Sequence, residues 1–215
     1  MLYFSSLIFL KLHLSLYLFV KIVKAFFIYS LLGGGWTVIQ QRVDAYVSFE
    51  RKWVDYKHGF GSFAGSFWLG NDRIHNLTKS SSNNTILLDM VDSTGKNYQP
   101  AYADFRVQNE NTGYTLLVGA GLLDLGLGNF SLVQSDFPFH SGAKFSTIDV
   151  TSYSSKCFEY NFGNGGWWHK SCYPRINFNG RFRADHHRDG IYCYNIFVTS
   201  SYKNLLSSRM LIRRM

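Results

Sequence analysis

Any chemistry in this chain would have to come from a short set of side chains. His186 and His187 stand between Asp185 and Asp189, a grouping that can bind a metal or move protons as general acid and base. Ser, His and Asp are plentiful, yet neither G-x-S-x-G nor H-E-x-x-H occurs, and no carboxylate pair stands out as a hydrolytic constellation. We read the two histidines as part of a polar loop able to touch a ligand, and expect no enzyme. Cys157, Cys172 and Cys193 show neither C-x-x-C nor Cys/His zinc spacing. A bridge from Cys157 to Cys172 would close a loop of moderate size, worth about 2–4 kcal/mol. It would hold the stretch Asn161 to Phe182, where adjacent Trp167 and Trp168 lie among Gly, Asn, Pro, Phe and Tyr. A loop with that much aromatic surface must pack on itself or on the domain, and rigid loops of this kind carry binding sites. Trp167 and Trp168 could stack on a sugar, but core packing is the reading we adopt.

The rest of the chain must position these groups. With 215 residues, 46% hydrophobic, 18% aromatic and 19 Gly, one domain rich in turns is expected, with a leader or extension. The formal charge of +8 is dispersed; the tightest basic cluster is Arg209, Arg213 and Arg214, and no nucleic-acid motif accompanies it. Nucleic acid is therefore not expected as a partner. Residues 1–32 form a hydrophobic leader interrupted by Lys11, Lys21 and Lys24, which leaves no uncharged run of about 18 residues. Signal peptide, membrane anchor and sequence foreign to the functional protein are the three readings, with secretion ranked first. Sequons at Asn76, Asn83 and Asn129 agree with that route.

From Gly33 onward the pattern becomes domain-like, and 33–215 is taken as the domain. Thr37–Val43 alternates as a half-buried strand. Ser48 is placed to cap a helix over Phe49–Lys57, with Phe49, Trp53 and Tyr56 on one face and Gly59 and Gly61 as stops. Phe67–Gly70 reads as a short buried segment, followed by a helix capped at Asn71 or Asp72. Thr85–Val91, Asn97–Val107 and Tyr114–Gly119 read as an antiparallel meander. Regular pattern then fades until a last strand over Tyr192–Ser200. The fold class is α+β: a sheet-and-helix half, then a loop-rich half.

Several of these segments together resemble the fibrinogen C-terminal (fibrinogen-related) domain family. They are Gly33-Gly34-Gly35-Trp36-Thr37-Val38-Ile39-Gln40, Phe67-Trp68-Leu69-Gly70-Asn71-Asp72 with Ile74-His75, and Tyr102-Ala103-Asp104-Phe105-Arg106-Val107. Lys144-Phe145-Ser146-Thr147, Gly166-Trp167-Trp168, Cys172, Asn177 and Asn179-Gly180 complete the set. The resemblance implies a central antiparallel sheet with short helices and a loop-rich ligand-binding half. It implies an extracellular, non-enzymatic recognition domain, binding acetylated glycans as a lectin or, alternatively, protein ligands as in the angiopoietin and tenascin branch.

The resemblance also assigns residues. It pairs Cys157 with Cys172 and leaves Cys193 over. It places a calcium site at Asp149 and Thr151, with carbonyls from Tyr153 and Ser155; Thr151 stands where the family has a second Asp, so one carboxylate is lost. The bland alternative is that Asp149 caps a turn. An acetyl pocket would be lined by Tyr160 or Phe162, by Tyr173 in the place of a family His, and by His187. The peptide Ser171–Cys172 is one that the family often holds cis. The family's first strands and first disulfide have no counterpart before Gly33, so the 37–43 strand is expected to present an open edge. The chain shows no collagen-like or coiled-coil stretch for multimerisation.

Overall fold

The computed structural model describes residues 35–80, 83–122, 136–151, 165–170, 175–182, 190–193 and 205–214. Apart from Gly35 and Trp36, these belong to one compact unit, Thr37–Met215. A seven-stranded antiparallel sheet carries it. Its strands are β1 (Thr37–Arg42), β2 (Phe60–Gly61), β3 (Phe67–Trp68), β4 (Asn84–Val91), β5 (Asn97–Tyr98), β6 (Ala101–Tyr102) and β11 (Ser207–Arg214). They run in the order β2-β3-β1-β11-β4-β5, with β6 also paired to β4. Helices α1 (Trp53–His58) and α2 (Asn71–Thr78) are short, as the frequent Gly and polar stops require. Two small ribbons, β7 (Arg106–Val107) with β8 (Leu116–Leu117) and β9 (Ile176–Asn177) with β10 (Tyr192–Cys193), complete the strands.

β4 and β11 form the spine. They pair without interruption from Ser207↔Val91 to Arg214↔Asn84. Side chains alternate across a strand, so Ile86, Leu88, Met90, Met210 and Ile212 face the main core. On the other face Gln41, Arg209 and Asp89 are register partners across three strands. Arg209 donates from Nε to Gln41 Oε1 at 2.8 Å and from Nη1 to Asp89 Oδ2 at 3.2 Å, while Gln99 donates to Asp89 Oδ1 at 3.0 Å. This ladder lets a cation occupy the middle of a sheet, because its charge is met within the same row.

The core continues from the sheet into aromatic packing. Trp68, Tyr56, Phe145, Trp168, Trp167 and Phe178 form a chain of ring contacts with centroids 5.1–5.9 Å apart. Trp167 and Trp168 are fully buried, and Trp168 Nε1 donates to Tyr114 O at 2.8 Å. The core-packing reading of this pair therefore holds.

Four expectations are corrected. The basic residues Arg209, Arg213 and Arg214, read as a cluster with no element assigned, belong to a central strand, and β11 was not foreseen. Because β11 covers one side of β1 and β3 the other, with Gln40↔Trp68 and Gln41↔Phe67 in register, the 37–43 strand is no open edge. The helix expected over Phe49–Lys57 begins only at Trp53; the Ser48 hydroxyl accepts from Glu50 N instead of starting it, and Lys52 offers no side-chain cap. Phe49 nevertheless joins Trp53 and Tyr56 at the core. The strand expected over Asn97–Val107 is broken into β5, β6 and β7. Pro100 has no N–H for a ladder, and Asp104 adopts a left-handed φ of 55° that ends the extended run. Of the last expected strand, Tyr192–Cys193 is seen, paired to β9; residues 194–200 lie outside the described part.

Candidate functional site

The loop-rich half is fastened to the sheet by a few polar side chains, and they set the geometry of the site. Gln40 of β1 donates from Nε2 to Phe178 O at 3.0 Å and to Asn179 Oδ1 at 3.2 Å. Asn179 Nδ2 donates to Gly166 O at 2.8 Å, and Asn179 N to Asn177 Oδ1 at 2.9 Å. Tyr56 of α1 joins the same network: its hydroxyl accepts from Gly166 N at 2.9 Å and donates to Phe49 O at 2.7 Å. Gly165 must be Gly, since a Cβ there would lie 1.6 Å from Asn179 O. The 165–170 and 175–182 segments are thus held against β1 and α1 by fully buried hydrogen bonds. Such a platform loses little conformational freedom when a ligand arrives.

Two buried histidines, His140 and His169, help to hold it. His140 Nδ1 donates to Trp168 O at 2.7 Å, and its Nε2 accepts from Ile176 N at 3.2 Å. Both nitrogens are thereby committed with a neutral ring. Burial pushes His140 down to about 4, with Arg175 and Lys170 adding to the effect and the Trp168 carbonyl opposing it. His169 is pushed down to about 3 by burial and by His140, against a hydrogen bond with the Gly165 backbone. They hold the platform rather than perform acid–base chemistry at neutral pH.

Asp149 takes a structural part. Its Oδ1 accepts from Trp53 N at 2.8 Å and from Thr147 Oγ1 at 2.7 Å. It supplies the N-terminal cap of α1 that Lys52 does not, from a segment far away in sequence. Burial raises the carboxyl, but the Thr147 hydroxyl and the Trp53 amide outweigh it and hold the group below its ordinary value. Thr151 is exposed. One oxygen of the single carboxylate accepts two hydrogen bonds, and Thr151 offers a hydroxyl toward the expected calcium set. Tyr153 and Ser155, the expected carbonyl donors, lie outside the described residues. No group of three His, Cys, Asp or Glu able to hold a metal occurs among the described residues.

The expected acetyl-pocket residues Tyr160, Phe162, Tyr173 and His187 also lie outside the described residues, as do Cys157, Cys172 and the Ser171–Cys172 peptide. Cys193 is described; it is buried, with Sγ 3.6 Å from Asp136 Oδ2. The structure adds a cleft of about 330 Å³ beside the platform, lined by Arg42, Tyr46, Phe49, Glu50, Arg181 and Phe182 among others. Arg42 is buried, which lowers its guanidinium to about 10 against the partial offset of Tyr56 and Asp44. Sequence reasoning missed this cleft. An Arg closing an amphipathic strand looks like a solvated end, and only the return of residues 178–182 buries it.

Comparison with known proteins agrees with this architecture. The family model for the fibrinogen beta and gamma chains' C-terminal globular domain matches residues 19–213. Human angiopoietin-related protein 2 is 37% identical over 165 residues, covering 74% of this chain and 31% of that protein. Fibrinogen-like protein A of Apostichopus parvimensis is 37% identical over 153 residues, covering 69% and 50%. The chain thus spans about a third to a half of the length of these relatives. Among solved structures, the fibrinogen-like globe domain of human ANGPTL2 superposes with a TM-score of 0.70 at 36% identity, covering 84% of this chain and 81% of that one. Lamprey fibrin D-dimer, complexed with the peptide Gly-His-Arg-Pro-amide, gives 0.66 at 27% identity, covering 83% and 61%. By sequence match and by fold, the chain belongs to the fibrinogen C-terminal globular domain family, with homologues among the angiopoietin-related proteins.

Proposed function

We propose that this chain is an extracellular, non-enzymatic recognition domain that binds a protein ligand. The observation that carries this reading is its likeness, in sequence and in fold, to the angiopoietin-related globe domains. Two features of the site support it. The tryptophans that could have stacked on a sugar are spent in the core, and Asp149 is engaged in capping α1. Calcium binding at Asp149, Thr151, Tyr153 and Ser155 is compatible with this reading. The leader at 1–32 and the sequons favour secretion, with membrane anchoring by 1–32 as the alternative; no helix among the described residues is long and apolar enough to cross a membrane.

The lectin reading rests on Tyr173, which stands where sugar-binding members of the family place a His beside Cys172. A Tyr hydroxyl can donate as a His does, but it reaches farther, so an acetyl cup would be shallower. Titration of the labelled protein with N-acetylglucosamine, followed by NMR, separates the two. Absence of shifts in both wild type and Tyr173→His is the expected result. Saturable shifts that strengthen in Tyr173→His would overturn the protein-ligand reading in favour of a drifted lectin pocket.

A further inference from the structure

Arg42 closes β1 and is only 1% exposed. Its hydrogen bonds run from Nη1 to Gly180 O at 2.7 Å and Phe178 O at 3.4 Å. Those acceptors are neutral carbonyls; among the described residues no carboxylate pairs with the guanidinium, and Nε is buried with no partner. Buried charges are ordinarily paired, and a buried donor left unsatisfied calls for a physical reason. The guanidinium carbon lies 3.9 Å from the Phe49 ring centroid and 5.8 Å from that of Phe182. Aromatic faces attract the cation but satisfy none of its N–H donors. All three residues line the cleft beside the platform.

The geometry points to this cleft as a carboxylate-binding subsite that takes an acidic side chain of a protein partner. The Nε side of a guanidinium is one edge of the fork that a carboxylate engages with two parallel hydrogen bonds. At about 330 Å³ the cleft has room for one such group and its stem. On the rim Arg181 stands 3.7 Å from Glu50, both well exposed. Such a surface pair is weak and opens at little cost. Arg181 then supplies a second cation to the incoming carboxylate, while Glu50 opposes it. Tyr46, 95% exposed at the same rim, offers apolar surface to the rest of the partner. The partner's being a protein rests on the reading proposed above; the carboxylate chemistry does not.

The test follows the arginine Nε–H signals of the 15N-labelled full chain, since a buried Nε–H exchanges slowly enough to be seen. Acetate is titrated against acetamide and sodium chloride at matched ionic strength. A saturable shift of one signal with acetate alone is expected, and Arg42→Lys should delete that signal. Should Arg42→Lys fail to fold, Glu50→Gln carries the test, with a several-fold gain in apparent acetate affinity because the opposing charge is gone. No saturable acetate shift in wild type and in Glu50→Gln overturns the subsite. Equal affinity for inorganic phosphate overturns the carboxylate assignment, leaving a general basic patch. A capped peptide carrying one Glu should reproduce the acetate shift and its Gln counterpart should not; acetate binding without Glu-peptide binding overturns the protein side chain as occupant.

Discussion

The neutral, buried histidines His140 and His169 make the domain sensitive to acid well above the range where carboxylates titrate. An unfolded His titrates near 6.5, whereas His140 and His169 in the folded domain are pushed down to about 4 and about 3. Both folded values lie below the unfolded one, so below pH 6.5 the unfolded chain binds more protons. Stability is therefore complete above that value and falls as pH drops toward 4 and then 3. At pH 5 each unfolded imidazole is about 1.5 units past its midpoint while the buried rings remain neutral. At about 1.4 kcal/mol per unit this is about 2 kcal/mol for each ring, or about 4 kcal/mol for the pair. A domain of this kind has only about 5–15 kcal/mol in all. Urea unfolding followed by tryptophan fluorescence at pH 8 and pH 5 measures the loss. His140→Gln keeps an amide donor toward Trp168 O and an acceptor toward Ile176 N without a titrating group, and His169→Gln removes the second. The double variant should lose about 4 kcal/mol less than wild type between the two pH values. Equal losses in both proteins would refute the buried, neutral assignment.

Three further perturbations test other joints of the structure. Asp149→Ala removes the oxygen that caps α1 at Trp53 N and should cost about 1 kcal/mol in urea unfolding; Asp149→Asn, which keeps an acceptor, should cost less. Thr151→Asp adds a carboxylate to the expected calcium set and should tighten calcium binding in calorimetry; unchanged heats would mean that the 149–155 segment is no calcium loop. A chain ending at Leu206 lacks β11, which joins β1 to β4, and should show no cooperative unfolding; a sharp transition would contradict the place given to that strand.

The sequence disclosed the parts whose pattern is local. Phe67–Gly70 as a buried segment and the shared face of Trp53 and Tyr56 follow from spacing, and the family resemblance supplied the α+β sheet with short helices. Elements that depend on distant partners were hidden. Ser207–Arg214 shows no clear strand pattern, since three of its eight residues are Arg; only Asp89 and Gln41, far upstream, make Arg209 acceptable in a central strand. The start of α1 was misplaced because its cap, Asp149, lies 96 residues from Trp53. The burial of Arg42 depends in the same way on the return of Phe178 and Gly180. At the site, Trp167 and Trp168 were legible as core, since so large an apolar surface in a loop has to be covered.

Recognition of a protein ligand is the function proposed for this domain. The most direct measurement is binding of the fluorescently labelled full chain to cell surfaces treated beforehand either with trypsin or with glycosidases that strip N- and O-glycans. Trypsin should abolish saturable binding, glycosidases should leave it intact, and free N-acetylglucosamine should not compete. Binding that survives trypsin but is lost to glycosidases or to N-acetylglucosamine would contradict the account.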